Sequence, residues 1–262
     1  MKRQALRAIL ASALAMALAA AALAQAEVIQ RGHLRIKVDG ELSPRKLPRS
    51  GAAPISVEVG GHIESTDGSP PPQLTRMAIE LNRQGTINSK GLPLCPYEAL
   101  EPASTTRAMA ACKQALVGTG SFEAQISLAG QESYVANGKL LAFNGRQGGR
   151  PVLFAHIYSP RPFATSFVIV FAIDERAKGT FGTTFAARLP STLGTWGKLT
   201  GIELKLSRHY TYRGKSYSYL SAGCPAPKGF PGASFGFARA SFGFAVGKTL
   251  SSTLTRSCKA TG

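Results

Sequence analysis

The sequence has 262 residues, of which 44% are hydrophobic, and its 31 Lys and Arg against 14 Asp and Glu give a formal net charge of +17. Beyond the N-terminal segment no stretch is long and apolar enough to cross a bilayer as a helix, which excludes a protein built from several transmembrane helices. The roughly 240 residues that remain are enough to bury one sizeable core.

The N-terminus has the pattern of an export signal. Three basic residues are followed by an uncharged Ala/Leu run over residues 8–24, and A-x-A cleavage sites end at Ala24 and at Ala26. We therefore predict a signal peptide over residues 1–24, cleavage after residue 24 or 26, and a secreted or extracytoplasmic protein. A retained signal anchor is the alternative, and the shortness of the alanine-rich run disfavours it.

Strand-like patterns recur along the mature chain and are separated by turns. The two most apolar runs, residues 152–158 and 166–173, suit central strands covered on both faces. Residues 43–54 form a basic connector that contains proline, and residues 144–149 are predicted as a loop because they hold Asn-Gly and Gly-Gly. The predicted strands are 34–38, 55–63, 74–81, 122–128, 134–143, 152–158, 166–173, 180–189 and 199–212.

One helix is predicted over residues 104–117. Ser104 is a good N-cap, Cys112 and Leu116 fall on one side at helical spacing, and Gly118 supplies a C-terminal stop. Its small, alanine-rich face would pack closely on a sheet, so we expect its role to be structural.

Many strands joined by short turns, with one short α-helix, predict an all-β fold. We expect a single β-sandwich or jelly-roll-like domain over residues 27–262. Near its end the sequence S-F-G-F-A at residues 234–238 recurs at residues 241–245. Alternating Phe and Gly favour packing of one aromatic layer over bare backbone, and a stacking platform is the alternative interpretation.

The four cysteines predict disulfide bonds, since cysteines in an exported chain are more often paired than reactive. Cys95 and Cys112 flank one short segment, and Cys224 and Cys258 bracket the last third of the chain. These local pairings are favoured, and the other two connectivities stay open. Without a C-x-x-C pair, and with the four histidines far apart in sequence, zinc is not favoured, and we predict no metal and no cofactor.

The positive charge is concentrated in the second half of the chain. Residues 27–132 hold 11 Lys and Arg and 11 Asp and Glu, whereas residues 133–262 hold 17 Lys and Arg and three carboxylates. No carboxylate follows Glu203. Such a field attracts polyanions, namely cell-wall polymers, glycans, anionic membrane surfaces or nucleic acid. The alternative is that the charge serves solubility alone.

The clearest local pattern is a tyrosine-rich hairpin. Gly214-Lys215 predicts a two-residue turn with Gly at its first central position. The resulting cross-strand pairs are Tyr212 with Tyr217 and Tyr210 with Tyr219, which places all four tyrosines on one face.

Basic residues beside these rings make the hairpin a candidate binding surface, because cations and aromatic rings together bind sugar polymers, anionic glycans and bases. The competing interpretation is a core stripe, since the tyrosines continue the apolar face of residues 202–206. Arg208 falls on that same face, so it needs a partner or an opening to water. The candidate binding residues are Arg208, Tyr210, Tyr212, Arg213, Lys215, Tyr217 and Tyr219.

Motifs that suggest catalysis lack their context. Residues 232–236 fit G-x-S-x-G, but no Asp, Glu or His follows Ser234. Asp174-Glu175 are adjacent and so point apart, which favours a solvated turn over a glycosidase pair. His156 lies in an apolar strand, where a hydrogen-bonded core histidine is favoured over a general base. We predict no catalytic residue.

Seven segments stand out in combination: SPRKLPR at 43–49, TDGSP at 66–70, GLPLC at 91–95, LLAFNG at 140–145, YRGK at 212–215, SYLSAGCP at 218–225 and LTRSC at 254–258. Together they resemble a family of uncharacterised exported bacterial proteins with four cysteines. The resemblance covers most of the mature chain and implies export. It carries no activity, ligand or functional residue.

These patterns predict a secreted or envelope-associated, non-enzymatic protein whose basic C-terminal half contacts an anionic surface or glycan. The runner-up is a secreted carbohydrate-active or other hydrolase with a site assembled from residues distant in sequence. A structural envelope protein without a specific ligand is the third alternative.

Overall fold

The computed structural model describes residues 26–160, 164–175, 179–189, 197–245 and 247–262. The predicted signal peptide lies outside these residues. The strands are β1 (Glu27–Arg31), β2 (Leu34–Ser43), β3 (Lys46–Pro48), β4 (Ala53–Pro54), β5 (Ser56–Ser65), β6 (Leu74–Asn82), β7 (Gly85–Ile87), β8 (Leu116–Ile126), β9 (Tyr134–Gln147), β10 (Arg150–Ser159), β11 (Thr165–Asp174), β12 (Phe181–Arg188), β13 (Gly197–Leu206), β14 (His209–Tyr212), β15 (Lys215–Ser218), β16 (Leu220–Ala222), β17 (Gly232–Phe244) and β18 (Thr249–Thr261).

Thirteen of these strands form one sheet, in the order β1-β2-β5-β13-β8-β9-β10-β11-β12-β6-β17-β18-β3. Its pairings are antiparallel except for the parallel contact of β18 with β3. Two small sheets complete the fold: β14 pairs with β15, and β16 lies between β4 and β7. The prediction of an all-β protein with one short helix is confirmed.

The large sheet curls until β1 and β2, at one end of the strand order, contact β18 near the other end. The Glu27 carboxylate on β1 accepts hydrogen bonds from the Thr255 amide at 3.3 Å and from Arg256 Nη1 at 3.0 Å, both on β18. Arg256 is 9% exposed and also donates through Nε to the Gly40 carbonyl on β2. The facing layers expected of a sandwich or jelly roll are therefore parts of one continuous sheet.

The inside of the curl is the main core. Inward-facing side chains of the curled strands pack there, and the fully buried ones include Ile36, Leu140, Ile169 and Leu254. A cavity of about 60 Å³ remains at the centre. The Phe residues of the repeated segment at positions 237, 242 and 244 are buried in this core, as the packing interpretation of the repeat predicted.

The outer face of the sheet carries a second, smaller core over β9 to β11. The α-helix α1 (Thr105–Cys112) lies there, with Ser104 capping its N-terminus by accepting a hydrogen bond from the Arg107 amide. Phe143 and Phe154 of the sheet are fully buried beneath this segment. The apolar run of β10 is thus covered on both faces, as its composition predicted.

Both predicted disulfides are formed. Cys95–Cys112 has a Cα–Cα distance of 5.3 Å and ties the α1 segment together beside β9, and Cys224–Cys258 has a Cα–Cα distance of 5.8 Å and fastens the chain after β16 to β18. Two disulfides indicate an oxidising, extracytoplasmic environment. Among the described residues, no helix has both the length and the apolar character needed to cross a membrane.

Outside the tyrosine hairpin and the strand that leads into it, three details differ from the sequence prediction. The helix ends at Cys112 rather than near residue 117, because a short 3-10 turn (Lys113–Ala115) leads into β8, whose Leu116 pairs with Phe143 of β9. The predicted connector over residues 43–54 contains the short strands β3 and β4.

The third difference concerns the predicted loop at residues 144–149, where β9 continues to Gln147 and the turn is confined to Gly148-Gly149. Asn144 is 2% exposed and donates its amide hydrogens to the carbonyl of Pro93 at 3.0 Å. Gly145 lies against the ring of Phe154, leaving no room for a side chain. The Asn-Gly dipeptide therefore serves packing instead of a turn.

The two disulfides should differ in their contribution to stability. Removing both cysteines of a pair lifts the constraint on the unfolded chain and so lowers the free energy of unfolding. On the loop-entropy model the decrease is about 4 kcal/mol for Cys224→Ala/Cys258→Ala and about 3 kcal/mol for Cys95→Ala/Cys112→Ala. Urea unfolding of the oxidised protein and the two double variants measures this. Equal free energies of unfolding for the oxidised protein and both double variants would show that the disulfides do not stabilise the fold.

Candidate functional site

The tyrosine hairpin forms with a different register from the predicted one. Its turn is Arg213-Gly214, with φ of 50° and 73°, so Tyr212 pairs with Lys215 and Tyr210 pairs with Tyr217. Positive φ at both central residues is the geometry of a type I′ turn, which matches the twist of a hairpin. The predicted pairs Tyr212 with Tyr217 and Tyr210 with Tyr219 are therefore wrong by two residues.

The tyrosine face of the hairpin packs against the chain at residues 88–91. The Tyr210 hydroxyl lies 3.0 Å from the Asn88 carbonyl and 3.1 Å from the Lys90 carbonyl, to which it can donate. The Tyr212 ring lies directly on Gly91, where a Cβ atom would collide with it. Tyr217 stacks on Tyr210 with ring centroids 5.7 Å apart. These three rings are half-buried and do not form an open platform.

At the base of the hairpin, Tyr219 lies wholly in the core, with 0% exposure and no partner for its hydroxyl among the described residues. Burial raises the pKa of this hydroxyl, so it stays protonated. Arg208 lies across the hairpin from Tyr219 and places Nη2 3.5 Å from the Gln114 carbonyl, while its buried Nε has no partner among the described residues. Arg213 and Lys215 are the members of the candidate set that are exposed.

Removal of the Tyr219 hydroxyl and removal of the Tyr210 hydroxyl should have opposite effects on stability. Tyr219→Phe deletes an unpartnered buried hydroxyl and should raise the free energy of unfolding by about 1 kcal/mol. Tyr210→Phe deletes a hydrogen-bonded hydroxyl and should lower it by about 1 kcal/mol. Urea unfolding checks both variants. A Tyr219→Phe variant less stable than the natural protein would show that the hydroxyl has a partner in solution.

His156 is the core histidine that its sequence context predicted. It is fully buried, and its Nε2–H donates to the Ala103 carbonyl at 2.9 Å, so it joins β10 to the segment that precedes α1. Its Nδ1 has no partner among the described residues. Burial lowers the pKa of His156, and the hydrogen bond to Ala103 only partly opposes this effect.

A neutral buried histidine makes stability depend on pH. The unfolded chain takes up a proton below the ordinary histidine pKa of about 6.5 and the folded protein resists it, so stability is full above that pH and is lost below it. His156→Gln should reduce this loss between about pH 7.5 and about pH 5 in thermal unfolding. The exposed His209 offers the control, and His209→Gln should leave the loss unchanged. Equal pH profiles for the two variants would contradict the assignment.

A cleft of about 580 Å³ on the outer face over β5, β13 and β8 holds mixed charges. Its His62 Nδ1 lies 3.7 Å from Glu123 Oε1, the same oxygen that accepts from the Thr200 hydroxyl at 3.1 Å. A second hydroxyl, that of Ser121, donates to Glu203 at 3.2 Å. Neither hydroxyl of this described group is hydrogen-bonded to an imidazole, as a serine-histidine nucleophile requires. No group of three potential metal ligands exists within the described ranges.

A larger cleft, of about 800 Å³, opens on the outer face of β10, β11, β12, β6 and β17. We call it the arginine cleft. Its floor is one transverse row of small side chains that are directly paired across the five strands. Facing residues on neighbouring strands lie about 4.8 Å apart, so the row is a continuous shallow surface. The row consists of Val152, Ala172, Ala186, Ala78 and Ser241.

Arginines line this floor on both sides. Arg188 on β12 and Arg76 on β6 pair directly across the strands on one side, and Arg150 on β10 lies on the other. All three are exposed, and no described acidic residue lies within ion-pair distance of them. None of the residues that line the cleft is acidic. The neighbouring Arg239 differs, because its Nε and Nη2 donate to the two oxygens of the Glu80 carboxylate, at 2.5 and 2.7 Å.

Gly243 on β17 determines where Arg76 lies. It pairs with Arg76, and a Cβ atom there would stand 3.1 Å from Arg76 Nε. The guanidinium group therefore rests across bare backbone. A planar guanidinium binds carboxylate or phosphate oxygens through two parallel hydrogen bonds, so paired arginines beside an apolar floor form a site for an oxyanion.

Sequence reasoning missed the arginine cleft. Arg76 belongs to the charge-balanced first half of the chain, and only the insertion of β6 between β12 and β17 brings it to Arg188. The one available signal was the strand alternation around Ala78 and Ala186, which marks exposed positions with unusually small side chains.

Comparisons with known proteins add no relative. No protein-family model matches the chain, and neither a curated protein nor a solved structure is significantly similar to it. The resemblance to exported bacterial proteins stays a prediction.

Proposed function

We propose that the protein is an exported, non-enzymatic binding protein that holds an anionic surface or glycan through the arginine cleft. The observation that carries the proposal is the direct cross-strand pairing of Arg76 with Arg188. Like charges directly opposite each other on a sheet are destabilising, and a bound oxyanion would relieve the repulsion. The predicted signal peptide and the two disulfides support an extracytoplasmic place of action.

The surrounding charge supports the same role. Lys248 in the β17–β18 turn is exposed and directly precedes Thr249, a residue that lines the cleft, so it adds to the positive field there. The carboxylate of Glu80 is already bound by Arg239 and does not neutralise the cleft. A cationic surface of this kind attracts polyanions with an affinity that falls as salt rises.

The hairpin is the competing surface. Its exposed charges are Arg213 and Lys215, and the Arg213 guanidinium lies 5.2 Å from the centre of the Tyr212 ring. Since its tyrosine face is covered by residues 88–91, the hairpin offers a ligand two exposed cations and little aromatic surface. We therefore place the binding site in the cleft.

Matched charge variants distinguish the two surfaces. Arg76→Gln/Arg188→Gln should elute from an anionic polysaccharide matrix at clearly lower salt than the natural protein and should bind a soluble polyanion about tenfold or more weakly. Arg213→Gln/Lys215→Gln removes the same net charge and should have a small effect. Neither variant may unfold at a lower midpoint than the natural protein for the comparison to hold, and relief of the repulsion between Arg76 and Arg188 should raise the midpoint of the cleft variant.

A third variant distinguishes the effect of the position of Arg76 from the effect of net charge. Gly243→Ala keeps every charge but crowds Arg76 Nε, so it should weaken binding several-fold while leaving the net charge untouched. Equal losses for the cleft and hairpin double variants would contradict a defined site. No retention of the natural protein at about 50 mM salt would contradict binding altogether, and turnover of a glycan panel would favour the hydrolase alternative.

A further inference from the structure

We infer that the occupant of the arginine cleft is an extended acidic polysaccharide that crosses the strands diagonally, and that a single small anion fills only part of the site. The inference rests on the proposed function and specifies its ligand. It follows from where the charges lie relative to the floor.

The cleft has charge at two separated places. Arg188 and Arg76 lie two residues from the floor row on β12 and β6, and Arg150 lies two residues from it in the opposite direction on β10. Four residues along a strand span about 13 Å, and β10 and β12 are two strand spacings, about 10 Å, apart. The backbones of Arg150 and Arg188 are thus separated by roughly 16 Å along the diagonal. The Arg76 guanidinium lies farther away still, against Gly243 on β17, which is two strands beyond β12. One carboxylate or phosphate group bound there is beyond the reach of Arg150.

The floor between the arginines is uncharged. The exposed Ala172 and Ala186 and the half-exposed Ala78 present methyl groups there, and Ser241 adds one hydroxyl. A ligand that satisfies both ends must therefore carry anionic groups separated by an uncharged stretch with C–H surface. Acidic polysaccharides have this construction, because their charged substituents project from neutral rings.

The cleft does not suit the other polyanions as well. Single-stranded nucleic acid is bound through aromatic rings on which its bases stack, and the aromatic side chain that lines this cleft, Phe242, is 4% exposed and faces the core. A membrane surface presents its charges as a plane, whereas these arginines lie on either side of a cleft. The geometry favours a narrow linear chain.

Length dependence tests the inference. Size-defined oligogalacturonates, from about two to about twelve units, are titrated into the full mature chain at fixed low salt, and affinity per chain is followed by calorimetry. Once an oligomer reaches from Arg76 and Arg188 to Arg150, the second contact becomes intramolecular, and the affinity should step up by at least about tenfold beyond the steady rise expected from added sites.

Arg150→Gln provides the matched variant. It should abolish the step in affinity for long oligogalacturonates. The affinity for the oligogalacturonate of two units should change by less than about twofold, since this short ligand occupies only the Arg76 and Arg188 end of the cleft. Arg213→Gln removes an equal charge elsewhere and should preserve the step. A smooth rise without a step, or an equal loss for short and long oligomers in Arg150→Gln, would overturn the inference.

Two further arms separate the sources of charge. The choice of polysaccharide would be wrong if single-stranded DNA of equal charge, or anionic phospholipid vesicles, bound the cleft more tightly than the long oligogalacturonate does. If no oligomer binds, or if Arg76→Gln/Arg188→Gln leaves all affinities unchanged, the proposed function itself fails. If the dimer binds through Arg76 and Arg188 and the step is missing, only the extended ligand is wrong.

Discussion

The arginine cleft exists because β6 lies between β12 and β17 in the large sheet. This strand comes from the first third of the chain, yet it pairs with β12 on one side and β17 on the other. The register of β6 determines which of its side chains are buried. Met77 and Leu81 point into the core, whereas Arg76, Ala78 and Glu80 point outward. Because side chains alternate along a strand, a shift of one residue would bury the arginine and expose the core. The apolar core therefore holds Arg76 opposite Arg188.

Two arginines on the outer face of these strands have opposite surroundings. Arg239 on β17 forms a bidentate ion pair with Glu80, which neutralises its charge. Its guanidinium carbon also lies 4.8 Å from the centre of the Phe181 ring, which covers one face of the group. That carboxylate raises the pKa of Arg239 further and keeps it charged. Arg76, four residues from Glu80 on the same strand, faces another arginine instead. The contrast shows that the sheet can neutralise an arginine at this face and leaves the cleft arginines available.

Much of the fold follows from local patterns in the sequence. The alternation in β2, β5 and β6, the long apolar run of β10, the Ser104 cap and the local cysteine pairs are each set by neighbours in the chain, and the structure agrees with them. The predictions were wrong where contacts with residues distant in sequence, or an unusual backbone conformation, determine the local structure. The Asn144-Gly145 pair resembles a turn, but the carbonyl of Pro93 and the ring of Phe154 make it part of a strand. The hairpin register was wrong because Arg213 adopts a positive φ that sequence patterns reserve for glycine or asparagine.

The candidate site was the least predictable part. Counting charges along the chain located the excess in the second half, but the strand order joins residues from both halves, and small side chains such as Ala78 become a floor only beside their partners. The direct measurement is an NMR titration that follows the arginine Nε–H signals as a long oligogalacturonate is added. The account predicts that the signals of Arg76, Arg150 and Arg188 shift together while those of Arg213 and Arg239 stay in place. Shifts at Arg208 and Arg213 with none in the cleft would contradict it.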